Sequence, residues 1–174
     1  MANPAAYTPQ GFVVDNNRRA AMNKAYLARL LAHAHWANAR TLAALPASEL
    51  PAEAVRLFAH VLTTEQIYHQ RLTEQDPWPQ DFWPDLSLQD CARLVPANRD
   101  LYQHFLAHRT DEDLARPVRY RNSRGTVFHT ARIDMLTHLM LHGQHHRGQI
   151  AQVLRRHSHT PPVIDFITFV REIG

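Results

Sequence analysis

Apolar residues recur three and four positions apart along four long stretches of the chain, which predicts four amphipathic helices. Leu57, Phe58, Val61 and Leu62 illustrate this spacing in the second stretch. A shorter apolar stretch follows Pro162 and predicts a small C-terminal helix. The predicted helices cover residues 20–45, 51–74, 88–108, 131–156 and 163–172.

Polar and proline residues mark where several of these helices begin. Ser48 or Pro51 begins the second helix. Ser87 is a favourable N-cap for the third, and Asp90 three residues later completes a capping pattern. Pro96 falls inside the third helix, where it should kink the helix or restart it, because proline lacks the backbone N–H that a helix interior uses.

Two connections depart from the helical pattern. Residues 117–130 alternate around a turn from Asn122 to Gly125, which predicts a β-hairpin packed on the helices. Residues 76–85 contain three prolines and three large aromatic residues, so we expect an extended crossover connection lying over a bundle. The predicted fold class is therefore all-α: a four-helix bundle with a small β-hairpin before the last long helix and a short C-terminal helix.

Composition narrows the class of protein. The chain has 174 residues, which suits one domain at 20–174 preceded by an N-terminal arm at 1–19. A single cysteine, Cys91, excludes an intramolecular disulfide and suits a reducing cytoplasm. The net charge is +3 and the arginines are scattered, so we expect no nucleic-acid partner. No apolar run approaches the ~20 residues of a membrane helix, so we expect no membrane partner.

Histidines supply the candidate chemistry. His138, His142 and His146 are four residues apart on the last long helix and share one face, whereas His145 points about 100° away from His146. Two neutral imidazoles on adjacent turns can hold a divalent metal ion. His60 on the second helix is a further candidate ligand. Three imidazoles plus water form the open arrangement of catalytic zinc sites.

Other polar residues near these histidines leave alternatives open. His138 could replace His146 as a ligand or line a pocket. Glu65 could orient a ligand or act as a base, because ligating histidines give their second N–H to an acceptor, or it could be a surface carboxylate. Arg147 and Gln149 could bind a substrate carboxylate or make structural contacts. Glu65 and Arg147 are thus the candidate catalytic residues.

The run from His142 to Ile150, His-Gly-Gln-His-His-Arg-Gly-Gln-Ile, resembles the last-helix signature of the DinB-like (damage-inducible) metalloenzyme family. The run at 31–40 and His60 followed by Glu65 also resemble this family. The resemblance implies an up-down-down-up bundle and a divalent metal ion held by His60, His142 and His146. Imidazole ligands suit zinc and nickel, so either metal is expected.

The resemblance also implies a range of activities, because the family includes thiol-dependent transferases and an isomerase. We therefore expect a metal-dependent enzyme that acts on a small molecule by S-transfer, isomerisation or hydrolysis, with a low-molecular-weight thiol as a candidate cofactor. The alternative is a non-catalytic, stress-related bundle that binds a metal ion or a ligand. The resemblance further suggests a homodimer, in which the aromatic 76–85 stretch could bury against the partner.

Overall fold

The computed structural model describes residues 24–45, 51–75 and 78–173, and the predicted arm at 1–19 lies outside them. Within the described residues the chain forms six helices and one antiparallel pair of strands. In chain order these elements are α1 (Lys24–Ala44), α2 (Ala52–Leu72), α3 (Leu88–Ala107), α4 (Asp111–Ala115), β1 (Pro117–Arg121), β2 (Val127–Ala131), α5 (Arg132–Arg156) and α6 (Phe166–Ile173).

The four long helices form the predicted up-down-down-up bundle, with a crossover connection between α2 and α3. Helices α1 and α2 each pack against both α3 and α5, so α1 and α2 lie on one diagonal of the bundle. The short helix α6 packs against α1. The most extensive contact between two helices joins α2 and α5, and it brings the candidate site residues together.

The hairpin is confirmed, with Pro117 opposite Ala131 and Arg121 opposite Val127. Gly125 in its turn has φ of +80°, a conformation that favours glycine. The Asn122 side chain accepts hydrogen bonds from the backbone of the turn. Strand β1 contacts α2 and strand β2 contacts α5, so the hairpin lies against the side of the bundle.

Capping residues and a proline explain where the helices of the structure agree with the predicted ones and where they differ. The capping pattern of Ser87 and Asp90 is present, and α3 runs through Pro96 as one helix, which excludes the restart that was one of the two outcomes expected there. The short helix α4 was not predicted. Its capping pair, Thr110 and Asp113, was visible in the sequence, but five residues are too few to show a helical period.

The core of the bundle contains two apolar clusters, one toward each end. Leu27 and Leu72 belong to the first cluster, and Leu45 and Phe58 belong to the second. Between the clusters, one buried polar residue from each long helix joins a connected hydrogen-bonded set. We call this set the polar layer: Asn38 of α1, Glu65 of α2, Asn98 of α3 and Arg147 of α5.

Candidate metal centre

Three histidines converge where α2 faces α5. His142 Nε2 lies 3.1 Å from His60 Nε2 and 3.1 Å from His146 Nε2. One nitrogen from each ring lies within 4.8 Å of the others, so the group could hold a metal ion. The spacing of four residues places His142 and His146 on adjacent turns of α5, and His60 approaches from α2. We call this group the His trio.

Hydrogen bonds define the tautomers of two rings in the trio. His60 Nδ1 donates to the carbonyl oxygen of Phe82 at 2.6 Å. His146 Nδ1 donates to Gln149 Oε1 at 2.7 Å. A neutral ring that donates through Nδ1 keeps its lone pair on Nε2. Both rings therefore direct acceptor nitrogens toward His142, and ligating histidines are commonly held by such contacts.

The donor set fits a divalent cation. If all three rings are neutral, His142 Nε2 can offer one hydrogen to two acceptor nitrogens, which leaves at least one lone pair without a partner. A single cation between the nitrogens would satisfy all of them. Nitrogens 3.1 Å apart are close enough for one ion to bond to both, because zinc–nitrogen bonds are about 2.0–2.1 Å long.

Burial keeps these rings in the neutral form that binds metals. Desolvation, together with the charges of the nearby His146 and His60, lowers the pKa of His142 to about 3. Desolvation also lowers the pKa of His60 and His146 from the ordinary value. The three rings are therefore neutral at neutral pH, so a metal ion need not displace the second proton of an imidazolium.

The connection between α2 and α3 covers one side of the trio. The indole of Trp83 stacks on the His60 ring, with centroids 3.8 Å apart and planes 4° apart. The guanidinium of Arg56 lies 5.1 Å from the centroid of the Trp83 ring. The connection thus lies over the bundle, as predicted. The contacts of Phe82 and Trp83 with His60 were not predicted. The cluster of aromatic residues and prolines at 76–85 was the available signal.

A cavity of about 580 Å³ opens beside the trio, between α2, the connection, the hairpin and α5. His138 lines it and stacks on Tyr68, with ring centroids 5.5 Å apart. The His138 ring is 5.7 Å from that of His142, so it extends the wall of the cavity beyond the trio. His145 is exposed and lies outside the trio, where Gln149 Nε2 contacts its Nε2 at 3.2 Å.

Glu65 and Arg147 lie in the polar layer. Glu65 is 4% exposed, so its interpretation as a surface carboxylate is wrong. Its carboxylate accepts hydrogen bonds from the side-chain amides of Asn38 and Asn98, each at 2.8 Å. Arg147 Nη1 donates to Asn38 Oδ1 at 2.9 Å. The amide of Asn38 therefore bridges a buried cation and a buried carboxylate.

Burial acts on both charges of the polar layer. Desolvation raises the pKa of Glu65, while hydrogen bonds from Asn98 and Asn38 and the charge of Arg147 oppose that rise. Desolvation lowers the pKa of Arg147 to about 10. Of the two roles considered for Arg147, binding a substrate carboxylate or making structural contacts, its contacts match the second. The layer links all four long helices of the bundle.

Replacing either of two glycines of α5 with alanine is expected to change the free energy of unfolding, but in opposite directions. A Cβ at Gly143 would meet Arg147 Nη1 at 2.9 Å, whereas a Cβ at Gly148 would meet nothing within 4 Å. Alanine in a helix is favoured over glycine by about 1 kcal/mol. Gly148→Ala should therefore raise the free energy of unfolding by up to about 1 kcal/mol. Gly143→Ala should lower it by about 1–3 kcal/mol, because Asn38 holds the guanidinium that must move.

Urea unfolding of both variants beside the wild-type protein measures these changes. The Gly148 variant is the control for helix propensity, because it lies on the same helix and has open space around it. Equal gains in both variants would show that the Arg147 guanidinium moves aside at no cost.

The fold and the site define a class: helical-bundle proteins in which imidazoles from two facing helices could hold a metal ion. The family model described as the DinB family matches residues 22–172. This chain belongs to the DinB family. No membrane-spanning helix is found among the residues that the structure describes, since none is long and apolar enough.

A solved structure gives the same fold. The crystal structure of a DinB-like protein from Bacillus cereus superposes with a TM-score of 0.62 at 17% sequence identity. The match covers 82% of this chain and 99% of that one. A comparison with curated protein sequences finds no match.

Proposed function

We propose that this chain is a divalent-metal-dependent enzyme in which His60, His142 and His146 hold zinc or nickel. The observation that carries the proposal is the convergence of three imidazole nitrogens on one point. A small-molecule substrate would bind in the adjoining cavity. Among the described residues the ligand group contains three side chains, which favours the open arrangement of catalytic sites over a closed structural one.

The residues around the trio have distinct tasks in this proposal. The Phe82 carbonyl and the Gln149 amide orient two of the rings, and Trp83 shields His60 from solvent. A bound divalent ion supplies Lewis acidity and lowers the pKa of a coordinated water or thiol. The family resemblance supports a low-molecular-weight thiol as cofactor and S-transfer, isomerisation or hydrolysis as the reaction.

Metal analysis of the gently purified protein tests the proposal. We expect about one zinc or nickel ion per chain in the wild type, as for one three-imidazole site, and a large loss in His142→Ala. Before the comparison, zinc or nickel is added back to any sample that lost its metal during purification. Equal metal content in the wild type and the variant would contradict the assignment of the trio.

Acidification is expected to lower the stability of the fold and metal binding together. The pKa of His142 is about 3 in the folded protein and near 6.5 when unfolded, so in this window the unfolded chain takes up the proton first. The free energy of unfolding therefore falls as pH drops below about 6.5. Protons also compete with the metal for neutral imidazoles.

Melting curves with and without zinc, recorded from about pH 7.5 to about pH 5, measure both effects. The increase in melting temperature caused by zinc should shrink toward the acidic end. An increase that is independent of pH across this range would show that the metal does not bind through imidazoles.

A further inference from the structure

We propose that the cavity beside the His trio binds a small molecule through a carboxylate, held by Arg71, Thr64 and Gln80, while the reactive end of the molecule faces the trio. This inference rests on the proposed function, because it names the substrate class of the same site. The volume of about 580 Å³ lies within the range of small-molecule pockets.

The positive charge of the cavity comes from Arg71. This residue is 2% exposed and lines the cavity near the end of α2. Its Nη2 donates to Gln80 Oε1 at 2.9 Å and to the carbonyl oxygen of Arg121 at 2.7 Å. Its guanidinium lies 4.9–5.2 Å from the ring centroids of three aromatic residues: Tyr68, Phe82 and Tyr120. The connection, the hairpin and α2 therefore hold this cation in place.

Two further donors in the cavity have unsatisfied hydrogen-bonding capacity. Thr64 Oγ1 and Gln80 Nε2 are buried, and neither makes a hydrogen bond to the residues that the structure describes. Both residues line the same cavity as Arg71. A buried donor without an acceptor is costly, so a ligand that brings an acceptor gains binding free energy here. A hydroxyl, an amide N–H and a guanidinium together favour an anionic acceptor such as a carboxylate.

One negative charge also lies at this cavity. Asp81 lines it, but this residue is exposed and its Oδ1 accepts a hydrogen bond from the backbone N–H of Trp83. The positive charges of Arg71 and of a divalent ion at the trio would together exceed the single negative charge of Asp81. The balance of charge in the metal-loaded cavity thus favours an anion.

Helix α2 sets the direction in which the ligand lies. His60, Thr64, Tyr68 and Arg71 follow one another at helical spacing along the face of α2 that lines the cavity. Thr64 is one turn from His60, about 6 Å along the helix axis. A carboxylate held by Thr64 and Arg71 therefore leaves the other end of a short molecule close to the trio.

Calorimetry on the zinc-loaded full chain tests the inference with ω-mercapto carboxylic acids and their amides. The acid and the amide share the thiol for the metal end and the same chain length, and they differ in the other end, which is an anionic carboxylate or a neutral amide. We expect each acid of suitable length to bind on the order of tenfold more tightly than its amide, as for a charge-assisted hydrogen bond. Thr64→Val should reduce this ratio several-fold, and Arg71→Met should abolish it.

Thr41→Val is the matched control, because Thr41 is 1% exposed and Thr64 is 2% exposed, and Thr41 lies outside the cavity. It should leave the ratio unchanged. Thr64→Val keeps the inference testable if Arg71→Met does not fold. Equal affinity for acid and amide would overturn the inference, and so would a preference for the acid that persists in both cavity variants.

Zinc content is measured before each titration, and it separates the two proposals. A wild-type protein that cannot be loaded with zinc overturns the proposed function. A zinc-loaded protein that does not distinguish acid from amide overturns only the assignment of the carboxylate site.

Discussion

His60→Ala is expected to abolish most of the increase in melting temperature that zinc produces. A ligand that binds only the native state stabilises it by about 4 kcal/mol at a thousandfold excess over its dissociation constant. For a domain of this size that corresponds to an increase of roughly 10 °C. His60 lies 82 residues before His142 and is the trio member from α2, so its loss leaves two ligands on α5 alone.

Thermal unfolding at neutral pH with and without added zinc measures the effect. His145→Ala is the matched control, because His145 lies beside the trio on α5 and is not part of it. The control should keep the full increase. If His60→Ala also keeps it, His60 is not a ligand, and His138 is the next residue to replace.

The positions of the long helices could be predicted because their apolar stripes have a clear period. The spacing of His142 and His146 placed both rings on one face of a helix before any fold was known. The place of His60 beside them depends on the packing of α2 against α5, a contact between residues far apart in sequence. The residues alone made His60 a candidate ligand, and the family resemblance then implied that it joins His142 and His146.

The contacts that hold the site residues in place could not be predicted from local sequence patterns. The group that accepts a hydrogen bond from His60 is the backbone carbonyl of Phe82, and every residue type carries such a carbonyl. Arg71 meets Gln80 and Arg121 only because the connection and the hairpin fold against the end of α2. Contacts of this kind follow from tertiary packing, which leaves no periodic pattern in the local sequence.

The polar layer was missed for a related reason. Asn38 and Arg147 are separated by 109 residues, and each alone looks like an ordinary polar position on a helix. Together with Glu65 they form a hydrogen-bonded chain of a cation, an amide and a carboxylate between two apolar clusters. A buried charged set can fix the register of packed helices, because any other register leaves its charges unpaired.

Asn38→Leu is expected to lower the free energy of unfolding by about 2–6 kcal/mol, because two buried charged groups each lose a hydrogen bond at a cost of about 1–3 kcal/mol. The change removes the donor at Glu65 Oε1 and the acceptor at Arg147 Nη1, so two buried charged groups each lose a partner. Urea unfolding at neutral pH measures the loss. Zinc binding to the folded variant should remain, because the His trio is made of other residues.

A triple variant, Asn38→Leu with Glu65→Leu and Arg147→Met, distinguishes unpaired charge from lost packing. Replacing both charges of a buried set together with apolar residues of similar size is often neutral or stabilising, and Asn98 keeps its hydrogen bond to the carbonyl oxygen of Leu62. The triple variant should therefore recover much of the stability lost in Asn38→Leu. If it is less stable than the single variant, the cost comes from the shapes of these side chains rather than from their charges. A loss below about 1 kcal/mol in Asn38→Leu would instead show that Glu65 and Arg147 do not depend on the bridging amide.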